Sequence, residues 1–395
     1  MKLESPLIWI LAGEASGDVL GGRLMQALKA ARPDMRFAGV GGERMAEAGL
    51  QTLFPLRDLA VMGLVEILPR ICHLSRRLDE AVADILSRRP DLVITIDSPG
   101  FALRLLRRIA PSGIPRIHYV APQVWAWREH RVRKFPGLWE RLLVLLPFET
   151  EFFGKHGLDA RFVGHPVLQS GAERGNAGRF RLRHGIPEDR KILILMPGSR
   201  RSEVPRLLPV FGKMLRLLAQ RHENIVPVIP VSPVVAQTVR AATEGWPHKP
   251  VLLTETEDKH DAFAAASVAL TKSGTSTLEL ALAGVPMAVT YRVNPLTAMM
   301  ARRLIRVPYV AMVNLLAGHE LVPELLQENC RADRLADMVS RLMHDPAVAQ
   351  AQKEGFASVV AGLSEPSGRA AADAAASEVL ELLDASQTAG AHQDG

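Results

Sequence analysis

Apolar residues in this chain gather in short continuous runs that end at glycine, proline or aspartate, and longer amphipathic stretches follow them. The first run, Leu7 to Ala12 (LIWILA), is too short for a helix and ends at Gly13, which predicts a buried parallel strand. The loop Gly13-Glu14-Ala15-Ser16-Gly17-Asp18 comes next, then an amphipathic stretch from Val19 to Ala30. The same strand, loop, helix unit recurs at Asp91 to Ile96, followed by Asp97-Ser98-Pro99-Gly100 and a helical stretch through Ile109. Arg116 to Val120 before Ala121-Pro122-Gln123 repeats it again. Strands alternating with helices predict a parallel α/β sheet, in which ligands bind outside the carboxyl ends of the strands.

From Gly164 to Asp189 the rhythm lapses, and Gly171 to Gly178 is polar and glycine-rich, which reads as a linker. A second α/β series follows. Lys191 to Met196 (strand) leads into Pro197-Gly198-Ser199-Arg200-Arg201 and a helix from about Pro205 to Arg221, then Ile225 to Ile229 (strand). Val268 to Thr271 leads into Lys272-Ser273-Gly274-Thr275-Ser276-Thr277 and a helix through Ala283, then Met287 to Tyr291. The expected fold is α/β, with doubly wound parallel-sheet, Rossmann-like domains over residues 1–168 and 186–345 facing a central cleft that holds the active site. Residues 346–384 are expected to form helices that pack back on the first domain, or on a partner's, and residues 385–395 a disordered tail.

Length agrees with two domains, since 395 residues supply ample core. Cys72 and Cys330 are the only cysteines, too few for a disulfide framework and wrongly spaced for structural zinc, so a cytoplasmic location is expected. No apolar run approaches a membrane span, and Met1 to Pro6 has no signal-peptide character. Net charge is +6, and ten of the 48 basic residues are lysine, the rest arginine. An arginine excess of that kind suits phosphate or anionic lipid partners, although base composition of the genome produces it too.

The loops bring in chemistry. Gly198-Ser199-Arg200 lies between strand and helix, where backbone N–H groups and a guanidinium can receive phosphate; a plain turn accounts for it equally well. Ser273-Gly274-Thr275-Ser276 has the same position and is also explained as an ordinary N-cap. Two such loops in one domain favour a diphosphate site. The chain has no GxxxxGK[ST], Gly39-Val40-Gly41-Gly42 lacks the last glycine of GxGxxG, and no Asp-x-Asp pair occurs. ATPase, nicotinamide and metal-bridged diphosphate readings are therefore weak, and a diphosphate leaving group would be stabilised by helix ends and arginine without a metal.

In the first domain, Asp97 follows a buried strand and is a candidate general base, in competition with a turn-forming role. Glu14 and Asp18 flank Gly17 in another strand-end loop, and Asp18 suits a cap for the helix that follows. His118, His130 and His165 lack partners at metal-ligand spacing. Trp125 and Trp127 precede Arg128, His130, Arg131, Arg133 and Lys134, a mixture compatible with a phosphorylated sugar, a lipid headgroup boundary or stacked bases. Val61, Met62, Leu64, Val65 and Leu68 belong to the most apolar loop-like region, with Arg57, Arg70, Arg76 and Arg77 around it. Helical spacing makes it a core face; the off-face Met62 and Ile67 and the arginines make it equally a surface segment entering an anionic membrane.

Together these motifs resemble the lipid-A-disaccharide synthase family, inverting glycosyltransferases of GT-B fold. The resemblance is carried by Gly13 to Asp18, Gly41 to Met45, Val61 to Glu66, Ile96 to Phe101, Phe162 to Pro166 and Leu195 to Arg200. Ser273 to Glu279, Asn314 to Ala317 and above all Tyr119-Val120-Ala121-Pro122-Gln123-Val124-Trp125-Ala126-Trp127 extend it over nearly the whole chain. It implies transfer of 2,3-diacylglucosamine from its UDP derivative to 2,3-diacylglucosamine 1-phosphate, forming the β-1,6 disaccharide 1-phosphate of lipid A and UDP. It implies Asp97 as general base and Glu14 as an essential acid. Arg200, Glu279 and Asn314 match UDP-site positions, joining Gly198, Ser199, Ser273, Gly274, Thr275 and Ser276 from the loops. Val61, Met62, Leu64, Val65 and Leu68 become the membrane or acyl-chain contact. The implied partners are glycolipid substrates, the anionic cytoplasmic face of the inner membrane and a second copy of the chain, with no nucleic acid, cofactor or metal. Another UDP-sugar transferase or an epimerase with a soluble substrate is the alternative, and a non-catalytic lipid- or nucleotide-binding protein is a different class.

Overall fold

The computed structural model describes residues 5–59, 71–201, 203–294, 297–299, 304–305 and 307–391. The chain forms two compact units, one from its start to Pro166 together with Leu363 onward, the other from Val167 to Gly362. The first contains β1 (Leu7–Ala12), β2 (Arg36–Val40), β3 (Leu92–Ile96), β4 (Arg116–Tyr119), β5 (Arg141–Val144) and β6 (Ala160–Phe162). They lie in the order β2-β1-β3-β4-β5-β6, and every pairing is parallel. The apolar run of β1 is explained by burial on both faces. Ile8, Ile10 and Ala12 pack with Leu24, Met25 and Leu28, while Trp9 and Leu11 pack on the other side with Phe101 and Leu105. The Trp9 indole donates to Asp84 at 2.9 Å, satisfying its one polar atom.

Glycines in the helix Ala15–Ala31 are unfavourable for helix propensity by about 1 kcal/mol each, and contact explains them. A Cβ on Gly21 would lie 2.6 Å from Met45 Sδ, and one on Gly22 would lie 2.8 Å from the Arg44 carbonyl oxygen. Their absence lets the short helix Glu43–Glu47 seat against the longer one. Two segments of the sequence reading meet through this contact.

The second unit contains β7 (Lys191–Met196), β8 (Ile225–Pro230), β9 (Val251–Leu253), β10 (Val268–Lys272), β11 (Met287–Tyr291) and β12 (Glu324–Leu326). Their order is β12-β11-β10-β7-β8-β9, again with parallel pairing. In each sheet the strand order reverses once, between β1 and β3 and between β7 and β10. Those reversals open the crevice at which doubly wound sheets bind ligands.

Three boundary expectations need correction. The region read as a linker is ordered: Asn176 caps the helix Ala177–His184 by accepting from Arg179 N–H at 2.8 Å. Arg179 and the Asn176 N–H both bond Asp261, which ties the segment to the second unit. The helix Pro346–Gly362 also stays with the second unit and does not return to the first. Its buried Gln352 accepts from Met287 N–H at 2.8 Å and donates to Met287 C=O at 3.1 Å. Only the segment from Leu363 onward rejoins the first unit, where Ala374, Ala375, Val379 and Leu383 enter its core. Arg141 secures that helix by donating to the Glu378 carboxylate at 2.7 Å and to Glu381 at 3.1 Å. The helix runs to Ala391, into the expected disordered tail. No helix among the described residues is long and apolar enough to cross a membrane.

Candidate active site

In the first unit, Asp97 sits at the carboxyl end of β3, beside the reversal. The pairing of Ala12 with Ile96 brings the loops after β1 and β3 together. A Cβ on Gly13 would lie 2.0 Å from Ser98 Cβ, so only glycine lets the loops meet so closely. Asp97 and Ser98 have left-handed backbones, φ 52° and 47°, and Val120 at the end of β4 has φ 75°. Non-glycine residues in that region carry strain of about 1–3 kcal/mol each, which the surrounding contacts must hold. One such contact is the Asp97 N–H donating to Tyr119 C=O at 2.9 Å. Burial pushes the Asp97 carboxyl above its ordinary range, opposed by a backbone hydrogen bond at Ser98. The ionised group is consequently a stronger base than a solvated aspartate.

Glu14 occupies the N-cap position of the helix Ala15–Ala31, but its side chain does not cap it. Asp18 does cap a helix, though not the one it belongs to. Its carboxylate accepts from the N–H groups of Gly42 (2.7 Å), Arg44 (3.0 Å) and Met45 (3.1 Å) at the start of Glu43–Glu47. That is an architectural role.

His118 is buried and its Nδ1 lies 2.8 Å from Thr95 Oγ1. Burial lowers its pKa to about 4, and lowers that of His165 to about 4 as well, so both are neutral near pH 7. His130 is exposed. Among the described residues no three His, Cys, Asp or Glu side chains are grouped to hold a metal. Glu149, absent from the sequence reading, is 3% exposed. It accepts from the Trp125 indole at 3.0 Å and from the N–H groups of Leu146 and Leu145 at 3.1 and 3.3 Å. Burial nevertheless dominates and pushes its pKa up to about 7. Trp125 is thereby fixed to the segment after β5, while Trp127 is exposed beneath the Arg128 guanidinium, 3.9 Å from its ring centre.

In the second unit, a cavity of about 360 Å³ opens at the carboxyl ends of β7, β8, β9 and β10. Gly198, Ser199, Gly274, Thr275 and Ser276 line it, so the two nominated loops share one site, which their positions beside the β7–β10 reversal explain. Gly198 has φ +107°, and a Cβ there would lie 2.6 Å from Glu203 Oε2. Lys259 and Lys272 also form the wall; both were missed. Lys272 carried a signal in its place next to the serine-glycine motif, whereas Lys259 lies in a polar helix with no distinguishing pattern. Lys272 pairs with Glu203 at 3.0 Å, Arg200 pairs with the same carboxylate at 3.4 Å, and Lys259 pairs with Glu279 at 3.1 Å.

The other candidates have different surroundings. Ser273 donates to Val310 C=O at 2.6 Å. Asn314 is fully buried: its amide donates to Val322 C=O and Glu324 at 2.8 and 2.9 Å, and its oxygen accepts from Leu321 and Val322 N–H at 2.9 and 2.8 Å. All four hydrogen-bonding positions are used within the protein, and Asn314 is not among the residues that line the cavity. Val61, Met62, Leu64, Val65 and Leu68 lie outside the described residues. At the edge of that segment Ile71 is exposed. Arg77, in the expected basic flank, is paired with Asp58 at 2.8 Å and Glu80 at 2.6 Å.

Against protein families, residues 8–379 match the model described as lipid-A-disaccharide synthetase. The lipid-A-disaccharide synthase of Gluconobacter oxydans is 66% identical over 95% of this chain and 91% of its own. That of Granulibacter bethesdensis is 60% identical over 96% of this chain and 100% of its own. Among solved structures, the UDP-GlcNAc 2-epimerase of Neisseria meningitidis bound to UDP-GlcNAc superposes with TM-score 0.64 at 12% identity, covering 96% of this chain and 99% of its own. At that identity the likeness is one of fold, the GT-B fold with its two doubly wound sheets.

Proposed function

The chain belongs to the lipid-A-disaccharide synthase family, and from that membership we propose the substrates and residue roles of its glycosyl transfer. It is a glycosyltransferase of lipid A biosynthesis. In our reading the donor is UDP-2,3-diacylglucosamine, the acceptor 2,3-diacylglucosamine 1-phosphate, and the products the β-1,6-linked disaccharide 1-phosphate and UDP. Asp97 takes the proton from the acceptor's primary hydroxyl. The oxygen attacks the anomeric carbon on the face opposite UDP, the bond to the diphosphate breaks, and configuration inverts. Charge developing on UDP meets Lys272, Arg200 and the loops at Gly198 and Gly274, which stand ready before reaction and need no metal. Glu279, oriented by Lys259, accepts hydrogen bonds from the ribose hydroxyls.

The observation that supports this reading most strongly is Asp97: a partly buried carboxylate with a raised pKa, held in left-handed backbone at a strand end beside the sheet's reversal. Incubation with both acylated substrates, read by mass spectrometry, should yield disaccharide and UDP in EDTA. Replacing Asp97 by Asn should lower turnover at least a hundredfold with UDP affinity kept; an undiminished rate would remove it as the base. The substrates' acyl chains favour peripheral attachment to the cytoplasmic face of the inner membrane through Val61, Met62, Leu64, Val65 and Leu68, flanked by Arg57, Arg70 and Arg76. Polar replacements of Val65 and Leu68 should then release the protein from anionic vesicles without unfolding it. A homodimer belongs to the same proposal and is checked by light scattering.

A further inference from the structure

Glu203 is a carboxylate that helix formation does not explain. It stands at the N-cap of the helix Val204–Ala219, yet its side chain makes no capping hydrogen bond. It is 6% exposed. Oε1 accepts from Lys272 Nζ at 3.0 Å and from an Arg200 guanidinium nitrogen at 3.4 Å, and Oε2 is buried with no hydrogen-bond partner among the described residues. Native proteins seldom leave such an atom unpaired without a reason.

The two cations come from different loops, Arg200 after β7 and Lys272 at the end of β10, and these are the loops on either side of the reversal. Gly198, which lines the cavity, leaves the space the carboxylate fills: a Cβ there would meet both Glu203 Oε2 at 2.6 Å and Lys272 Cδ at 3.1 Å. One fixed anion thus sets the positions of two cations whose stems are otherwise flexible.

We propose that Glu203 is a positioning residue for the glycosyl transfer, a buried anchor that holds Lys272 and Arg200 aimed at the diphosphate of the donor. The inference rests on the reading of this cavity as the UDP-sugar site. Preorganised cations stabilise charge that develops on the leaving group, and cations free to wander bind the ground state but lose that advantage. Losing the anchor therefore acts on kcat more than on UDP affinity, because neutralising a nearby anion also favours a bound diphosphate.

The test is a double-mutant cycle with Glu203→Gln, Lys272→Met and the pair, read by kcat and KM for transfer, UDP affinity by calorimetry and thermal stability. Glu203→Gln is expected to lower kcat at least tenfold with UDP Kd within threefold of wild type. In the Lys272→Met background the same change should cost less than threefold, because the anchor then has no lysine to hold. Losses that multiply across the cycle, an unchanged kcat, or a loss of UDP affinity equal to the loss of kcat would overturn the proposal. If Glu203→Gln does not fold, Glu203→Asp, which keeps the charge and shortens its reach, enters the cycle with the same criteria. Wild-type protein separates the two readings: absence of transfer and of UDP binding there defeats the donor-site reading, whereas an active wild type with a multiplicative cycle defeats only the anchor.

Discussion

Replacing Glu149 by Gln tests whether a buried carboxyl makes this protein's stability depend on pH. Burial raises the Glu149 pKa from 4.5 to about 7 against three opposing hydrogen bonds. At about 1.36 kcal/mol per unit, the native surroundings disfavour the ionised form by about 3 kcal/mol. The folded pKa lies above the unfolded one, so the protonated group's contribution is complete below about pH 4.5 and is lost as pH rises through about 7. The slope attributable to this group reaches about 1.4 kcal/mol per pH unit between those limits. Glutamine occupies the same volume and does not titrate. Since it offers one acceptor oxygen, it adds a penalty that is constant with pH and drops out of the comparison. Urea unfolding across pH should therefore show the difference between wild type and Glu149→Gln shifting by about 3 kcal/mol toward the variant from about pH 4.5 to 8. The Trp125 indole N–H, one of only five in the chain, bonds this carboxylate directly. Its NMR resonance should titrate near pH 7 in the wild type and stay fixed in the variant. A midpoint below about pH 5, or parallel stability profiles for the two proteins, would refute the reasoning.

Gly13→Ala should force the loops after β1 and β3 apart, since its methyl would overlap Ser98; about 1–3 kcal/mol of stability and most of the activity should be lost, measured by denaturation and turnover. Asp18→Ala would leave three N–H groups of the helix Glu43–Glu47 without their acceptor; a loss of about 3 kcal/mol in a denaturant titration is expected, and less than about 1 would contradict the capping role. Lys259→Met removes the cation that holds both oxygens of Glu279; UDP should bind about tenfold more weakly by calorimetry, and an unchanged Kd would detach this pair from the nucleotide.

Much of this protein is determined locally and can therefore be read along the chain. The run Leu7 to Ala12 is apolar at every position because both faces of β1 are covered, and its strand has the bounds the pattern predicts. The glycine-serine motifs and Asp97 stand out for the same reason: a strand end followed by a helix has few residue types that satisfy it. Short or polar-edged strands such as Ala160–Phe162 and Glu324–Leu326 carry no such run. They exist because a neighbouring strand supplies hydrogen-bond partners.

Strand order, by contrast, is a property of the assembled sheet. Only the reversal between β7 and β10 brings the loops at Gly198 and Gly274 to one cavity, and only the reversal between β1 and β3 sets Gly13 against Ser98. Asn314 illustrates the limit most clearly. A polar residue in a shared motif suggests ligand contact, yet in the fold its four hydrogen bonds are made to residues up to ten positions away. Likewise Glu149 has its pKa raised by burial against the hydrogen bond from Trp125, while Glu203 and Lys259 meet partners distant in sequence, the ammonium of Lys272 and the carboxylate of Glu279. Their charges are written in the chain. Burial and long-range pairing, which set a group's pKa and fix its position, arise only when the chain closes on itself.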